Sequence, residues 1–354
     1  MAVMPTLQHR SPADHYTRTA RAAARTVMRS YSTSFTLASS ALPRRIRTHI
    51  EALYAMVRVA DEVVDGAWTG ASPQNVIGEL DRFEQVIAQA VERGFSTDLV
   101  AHAFAASARA TGIGPAQWEP FFASMRSDVP ADQPPPPPNQ DLPTFIRPHT
   151  KEVVRSDESW WEQTADSQWE QTAHARALTD DELARYIHGS AEVVGEMCVL
   201  AFFDGAPLPR DAEEALLPGA RALGSAFQKV NFVRDLAHDS AHLRRGYLVA
   251  PGRASTDFTE EHKDRLVFEV FDELATAAPV IDELPRTVRA AVWTAFGVFA
   301  ELNHRIAMTP ARQVARRRVR VPDPVKLTIA ARAASGRPRT AWPGMPVAYS
   351  RRSA

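Results

Sequence analysis

The chain is predicted to be all-α, and three observations carry this. Apolar residues recur at the three-to-four-residue spacing of amphipathic helices through most of the 354 residues. Runs that alternate apolar and polar residues, or that cluster Val, Ile and Thr between turns, are scarce. Recognisable helix starts precede some periodic stretches: "SPQN" from Ser72, and "TDDE" from Thr179, where Thr179 and Glu182 have capping-box spacing.

Taken in order, the periodicity predicts helices over about 14–40, 43–65, 73–93, 97–111 and 115–127. Residues 129–176 break the pattern. Five consecutive prolines in "PPPPPNQDLP" cannot continue a helix and favour polyproline II, and a W-E-Q-T-A repeat follows around Trp161 and Trp169. This segment reads as a surface insertion. Helices resume at about 179–204, 210–240, 259–278, 285–308 and 323–334. The expected organisation is a tail at 1–13, a helical domain over 14–335 carrying the 129–176 insertion, and a flexible tail at 336–354.

Composition narrows the function classes. Hydrophobic residues make up 45% and charged residues 23%, so the chain can bury a core and is neither fibrous nor wholly disordered. A net charge of −1 favours no polyanionic partner, and no nucleic-acid role is expected. The single cysteine, Cys198, lies in the apolar run "GEMCVLAFF", which excludes a disulfide framework or a cysteine zinc site and reads as core packing. With no secretory leader and no 18-residue apolar stretch, a cytoplasmic location is expected.

Two segments carry chemistry. In "EALYAMVRVADEVVDG", Tyr54, Arg58, Asp61 and Asp65 fall within an arc of roughly 60° on a helix, while nearly all the remaining circumference is apolar. A surface helix ordinarily carries a broader polar face. Two carboxylates one turn apart repel each other in a dry interior unless a cation stands beside them. In "GSAFQKVNFVRDLAHDS", Gln228, Asn231, Asp235 and Asp239 share one face, and Ala226, Phe227, Val230, Phe232, Val233 and Leu236 supply the packing. Oxygen donors without cysteine or paired histidines suit a hard cation, magnesium above all, held together with phosphate oxygens. Arg58 and Arg234 precede the two aspartate motifs and could neutralise the same anion, with Lys229 and Arg245 as weaker candidates.

At these residues the chain resembles the squalene/phytoene synthase family, the head-to-head trans-isoprenyl diphosphate synthases. The resemblance covers most of the chain: "YSTSFTLASSALPRRIRTHIEALYAMVRVADEVVD", "FFASMRSD" from Phe121, "YIHGSAEVVGEM" from Tyr186, the second aspartate motif, "LRRGYLVAP", and the C-terminal "PVIDELPRTVRAAVWTAF" and "RRRVRVPDPVKL". It implies the class I isoprenoid synthase bundle around a central cavity. Asp61, Asp65, Asn231, Asp235 and Asp239 would bind magnesium, with manganese as a substitute, and the donor's diphosphate. Arg58, Gln228, Arg234, Arg245 and Tyr247 would help hold diphosphate. Ser32, Ser34, Tyr54 and Tyr186 match polar positions of the diphosphate and intermediate pocket, and Ala191, Val194, Gly195 and Gly224 would border the tunnels for the prenyl chains.

The implied reaction joins two prenyl diphosphates through a cyclopropylcarbinyl diphosphate. Phytoene from geranylgeranyl diphosphate, needing no NADPH, is the expected product, and a C30 enzyme making squalene or dehydrosqualene from farnesyl diphosphate is the alternative. A terpene cyclase would share the fold, but its N-D-x-x-S/T-x-x-x-E motif is absent. A non-catalytic relative would be expected to lose the acidic motifs, which this chain keeps. The basic "RRRVR" at 316–320 could meet anionic lipid at the inner face of the plasma membrane, where a peripheral enzyme would release hydrocarbon. A solvated arginine cluster is the plainer reading.

Overall fold

The computed structural model describes residues 11–65, 67–68, 70–129, 177–208, 210–238, 247–249 and 254–338. The predicted Pro-rich insertion, apart from Val129, lies outside the described residues, as do 1–10, 339–354, Asp239 and Arg245. Among the described residues the secondary structure is helical throughout, with no strand, as the periodicity predicts.

The first half holds α1 (Pro12–Tyr31), α2 (Thr33–Ser39), α3 (Arg44–Val64), α4 (Pro73–Arg93), α5 (Leu99–Thr111) and α6 (Pro115–Ser127). Local chemistry sets their ends. Ser72 accepts from the backbone of Asn75 to open α4, and Asp98 accepts from Val100 and Ala101 to open α5. Gly94 and Gly112 close α4 and α5 in the left-handed conformation that lacks a penalty only for glycine. Met56, Phe104, Phe121, Phe122 and Ile87 fill this half and are fully buried. Each phenylalanine so buried contributes roughly 2–3 kcal/mol of transfer free energy.

The second half holds α7 (Asp180–Ile187), a π-helical turn (His188–Glu192), α8 (Val193–Phe203), α9 (Arg210–His238), α10 (Ala254–Asp257), α11 (Glu260–Ile281), α12 (Arg286–Ala307), α13 (Ala311–Val314) and α14 (Asp323–Ala334). Helix α9 packs along α11, and Leu216, Phe271, Leu274 and Phe296 form the centre of the larger core. Helix α8 and the π turn join the halves by packing on α9 and α6, with α8 also reaching α3.

Two predicted helices are divided. The 14–40 stretch breaks at Ser32, whose extended backbone ends α1 and whose hydroxyl accepts from Phe35 N to start α2. The 179–204 stretch begins with the predicted Thr179–Glu182 capping box but passes through the π turn. There Gly189 lets α6 come close: a Cβ would stand 2.0 Å from Ser124 Oγ and 2.3 Å from the Pro120 carbonyl oxygen.

Candidate active site

Helices α3 and α9, which carry the two polar stripes, pack mainly against other elements rather than each other. An aromatic group bridges them. Phe35 of α2 lies 5.9 Å from Tyr54 of α3, 6.4 Å from Phe227 of α9 and 5.9 Å from Phe299 of α12, and Phe227 stacks on Phe299 at 3.8 Å. A side-chain bond extends the link: Lys326 of α14 donates to Thr33 at 3.3 Å.

On α3 the predicted stripe is assembled. Arg58 pairs closely with Glu62, and its guanidinium nitrogens stand 3.8 Å from Asp61 Oδ2 and 3.6 Å from Asp65 Oδ2. Tyr31 offers its ring face 4.6 Å from the guanidinium carbon. Burial opposes the charge on Arg58, but Asp61, Glu62 and Asp65 outweigh it and leave its pKa raised. Tyr54 remains a neutral phenol because burial pushes its pKa up to about 12. Ser34 is half-buried on α2.

On α9, Asp235 accepts from Arg234 at 2.5 Å, and Arg318 places its Nε 2.7 Å from the same carboxylate. The arginines of the 316–320 cluster are exposed, as the solvated reading expects, and Arg318 among them also makes an ion pair with the second motif. Asn231 Oδ1 is buried and has no hydrogen-bond partner among the described residues. Gln228 is half-buried on the same helix. Lys229 instead turns about a quarter of the way round α9. It donates to Glu269 at 3.0 Å and Glu273 at 2.8 Å of α11, and the three line a cavity of about 370 Å³ that α7 and Tyr247 also border.

A third cluster borders α9. Tyr186 donates to Asp128 Oδ2 at 2.7 Å, Tyr247 donates to Asp128 Oδ1 at 2.5 Å, and the two hydroxyls are 3.0 Å apart. Phe232 of α9 stacks on Tyr247 at 4.4 Å and lies 5.8 Å from Tyr186. Asp128, the C-cap of α6, joins two tyrosines separated from it by 58 and 119 residues in sequence. Its only sequence signal is its place at the end of "FFASMRSD".

The predicted tunnel residues occupy a helix crossing. A Cβ on Gly224 would lie 2.5 Å from the Ala191 carbonyl oxygen, and one on Gly195 would lie 2.4 Å from that of Ala220. These glycines bring α9 against the π turn and α8; Ala191 is buried and Val194 half-buried beside them.

Among the described residues no three His, Cys, Asp or Glu side chains converge as a ready metal cluster. The donor set still fits a hard divalent cation: Asp61 and Asp65 on α3, and Asp235 with an unsatisfied buried amide oxygen of Asn231 on α9. The arginines on each carboxylate set supply counter-charge and forked donors suited to phosphate oxygens. Helices bearing acids and arginines on both flanks of an aromatic wall can bind a diphosphate and shield a reactive carbon from water.

Residues 28–324 match the model of the squalene/phytoene synthase family. A bifunctional lycopene cyclase/phytoene synthase of Phaeosphaeria nodorum is 25% identical over 288 residues, covering 77% of this chain and 43% of the relative. Its counterpart in Sporisorium reilianum is 29% identical over 266 residues, covering 64% and 36%. The chain thus spans less than half the length of these relatives. Among solved structures, a dehydrosqualene synthase in complex with ligand superposes with a TM-score of 0.63 at 17% identity, covering 92% of this chain and 99% of that one. A squalene synthase from Alicyclobacillus acidocaldarius superposes with a TM-score of 0.58 at 16% identity, covering 85% and 96%. At such identities the structural likeness is one of fold. The family match takes in both aspartate stripes and most of the chain, and the protein therefore belongs to the squalene/phytoene synthase family of prenyltransferases.

Proposed function

We propose that this chain condenses two molecules of geranylgeranyl diphosphate head-to-head into phytoene. The observation that carries the reading is the pair of arginine-clamped acidic stripes: Arg58 across Asp61 and Asp65, and Arg234 with Arg318 on Asp235. The named phytoene synthase activity of relatives at 25% and 29% identity supports the C40 product over a C30 one.

Asp61, Asp65, Asn231, Asp235 and Asp239 would hold magnesium, or manganese in its place. When bound, the metal stabilises negative charge on the departing diphosphate. Arg58, Arg234 and Arg318 would take diphosphate oxygens as their carboxylates turn to the metal. One allylic C–O bond breaks, the freed carbon bonds to the second substrate's double bond, and a proton is lost as the cyclopropane closes. The second C–O bond then breaks, the ring rearranges, and loss of another proton gives the hydrocarbon, so two diphosphates and two protons leave per turnover and no reductant is consumed. Tyr54, Phe35, Phe227 and Phe299 would keep water from the cation and present π-faces to it. Asp128 holds the Tyr186 and Tyr247 hydroxyls at fixed positions beside α9.

The test is incubation of the purified protein and magnesium with geranylgeranyl or farnesyl diphosphate, with and without NADPH, and identification of extracted hydrocarbons by mass. A C40 product without NADPH supports the proposal. A C30 product moves the chain to squalene or dehydrosqualene synthesis, the activities named for its structural neighbours, with NADPH dependence choosing between them. No hydrocarbon from either substrate refutes the reading. Asp61→Ala and Asp235→Ala should each keep the fold and lower turnover at least ~100-fold, the scale of losing one preorganised charge-stabilising group.

A further inference from the structure

Arg58 is shared among three carboxylates, and the one it grips most closely is Glu62, which the functional reading leaves without a role. On α3, Glu62 lies about 40° to one side of Arg58, Asp61 about 60° to the other, and Asp65 about 20° toward Asp61. The guanidinium therefore straddles the motif. Its Nη2 reaches Glu62 and stands 3.6 Å from Asp65, while Nη1 stands 3.8 Å from Asp61. Among the described residues its Nε is buried without a partner, and the three carboxylates and the Tyr31 ring are the groups seen to hold the guanidinium.

In this arrangement the guanidinium is one resident counter-charge of the first motif. A divalent cation arriving at Asp61 and Asp65 competes with it for both aspartates and repels it. Glu62, on the far flank, can keep Arg58 beside the motif while the aspartates turn to the metal.

We propose that Glu62 is a positioning residue: it holds Arg58 at the edge of the first acidic motif, so that Asp61 and Asp65 are released to metal while the guanidinium stays in place for diphosphate. This rests on the functional reading above and deepens it. It differs from two other roles for the same side chain, a third metal ligand and an ordinary i,i+4 surface pair worth a few tenths of a kcal/mol.

The experiment is Mn²⁺ binding, followed by electron paramagnetic resonance, to the full chain without prenyl substrate and with or without inorganic diphosphate. The proteins are wild type, Glu62→Gln, Glu62→Asp, Arg58→Gln and the Glu62→Gln/Arg58→Gln double variant, with fold checked by circular dichroism. If Arg58→Gln fails to fold, Arg58→Met replaces it, keeping an apolar stem of similar reach. Freed from Glu62, Arg58 should settle on the aspartates, so Glu62→Gln should weaken Mn²⁺ binding about 3- to 10-fold, with Glu62→Asp intermediate. Arg58→Gln should tighten binding in the absence of diphosphate, and adding Glu62→Gln to it should change nothing further. An equal weakening by Glu62→Gln in both backgrounds would overturn the proposal, since Glu62 would then act on the metal directly. A change under twofold in the wild-type background overturns it as well, leaving only a surface pair. Failure of wild type to bind Mn²⁺ in either condition is a separate result that sinks the reading of the site itself.

Discussion

Replacing Asp128 by asparagine removes the charge on which two distant tyrosines converge. Asp128 accepts from Tyr186 at 2.7 Å and from Tyr247 at 2.5 Å, one hydroxyl on each oxygen. A hydrogen bond to a charged group is worth about 1.5–3 kcal/mol, and a neutral one about 0.5–1.5 kcal/mol. Asparagine keeps one acceptor oxygen and turns a donor toward the other tyrosine. One charged bond is therefore lost and the second becomes neutral. The stranded hydroxyl can redirect to its neighbour 3.0 Å away, which returns part of the loss. The net cost is roughly 2–3 kcal/mol, read as a lower urea midpoint at unchanged slope. Tyr186→Phe and Tyr247→Phe should each couple to Asp128→Asn by about 1 kcal/mol or more in double-mutant cycles, because the three groups share one network. Turnover should fall with stability, since both hydroxyls border the α9 site. A destabilisation under about 0.5 kcal/mol, or strict additivity, would show that Asp128 does not hold the tyrosines as described.

Gly195→Ala and Gly224→Ala should each destabilise by about 1–3 kcal/mol in urea unfolding, because the new methyl meets a backbone carbonyl that cannot rotate away; midpoints equal to wild type would contradict the close crossing. Arg318→Gln should lower stability by under about 1 kcal/mol, as its side chain is 49% exposed, yet weaken binding of inorganic diphosphate measured by calorimetry. Unchanged diphosphate affinity would remove Arg318 from the site. Tyr54 bears on alkaline stability. Its folded pKa, pushed up to about 12 by burial, exceeds the unfolded value of 10.0, so its contribution is complete below pH 10 and is lost as pH rises toward 12. Wild type should accordingly lose stability faster than Tyr54→Phe between those values, and parallel curves would contradict the buried neutral phenol.

Much of the fold and half of the site are legible in the sequence because a helix converts sequence spacing directly into angular position. The stripe of Tyr54, Arg58, Asp61 and Asp65 needs nothing beyond 3.6 residues per turn, and the α4, α6 and α14 limits follow from proline, serine and glycine signals at their ends. The break at Ser32 is less visible, since periodic apolar residues continue on both sides and a serine can cap a helix or sit inside one. The π turn is hidden for a related reason: a single wider turn leaves no mark in composition, and the close approach of α6 to Gly189 within it involves a residue far away in sequence.

What the chain determines by itself is therefore local: all-α class, helix positions, and two helix stripes of oxygen donors with arginines beside them. Tertiary structure alone decided which groups meet across sequence distance. It brought Arg318 to Asp235 across 83 residues, Tyr247 to Asp128 across 119, and Lys326 to Thr33 across 293. Such contacts depend on how whole helices pack, and packing energy is spread over dozens of apolar contacts with no short pattern to announce it. Even within one helix, the three-way sharing of Arg58 depends on its rotamer, a choice that spacing leaves open.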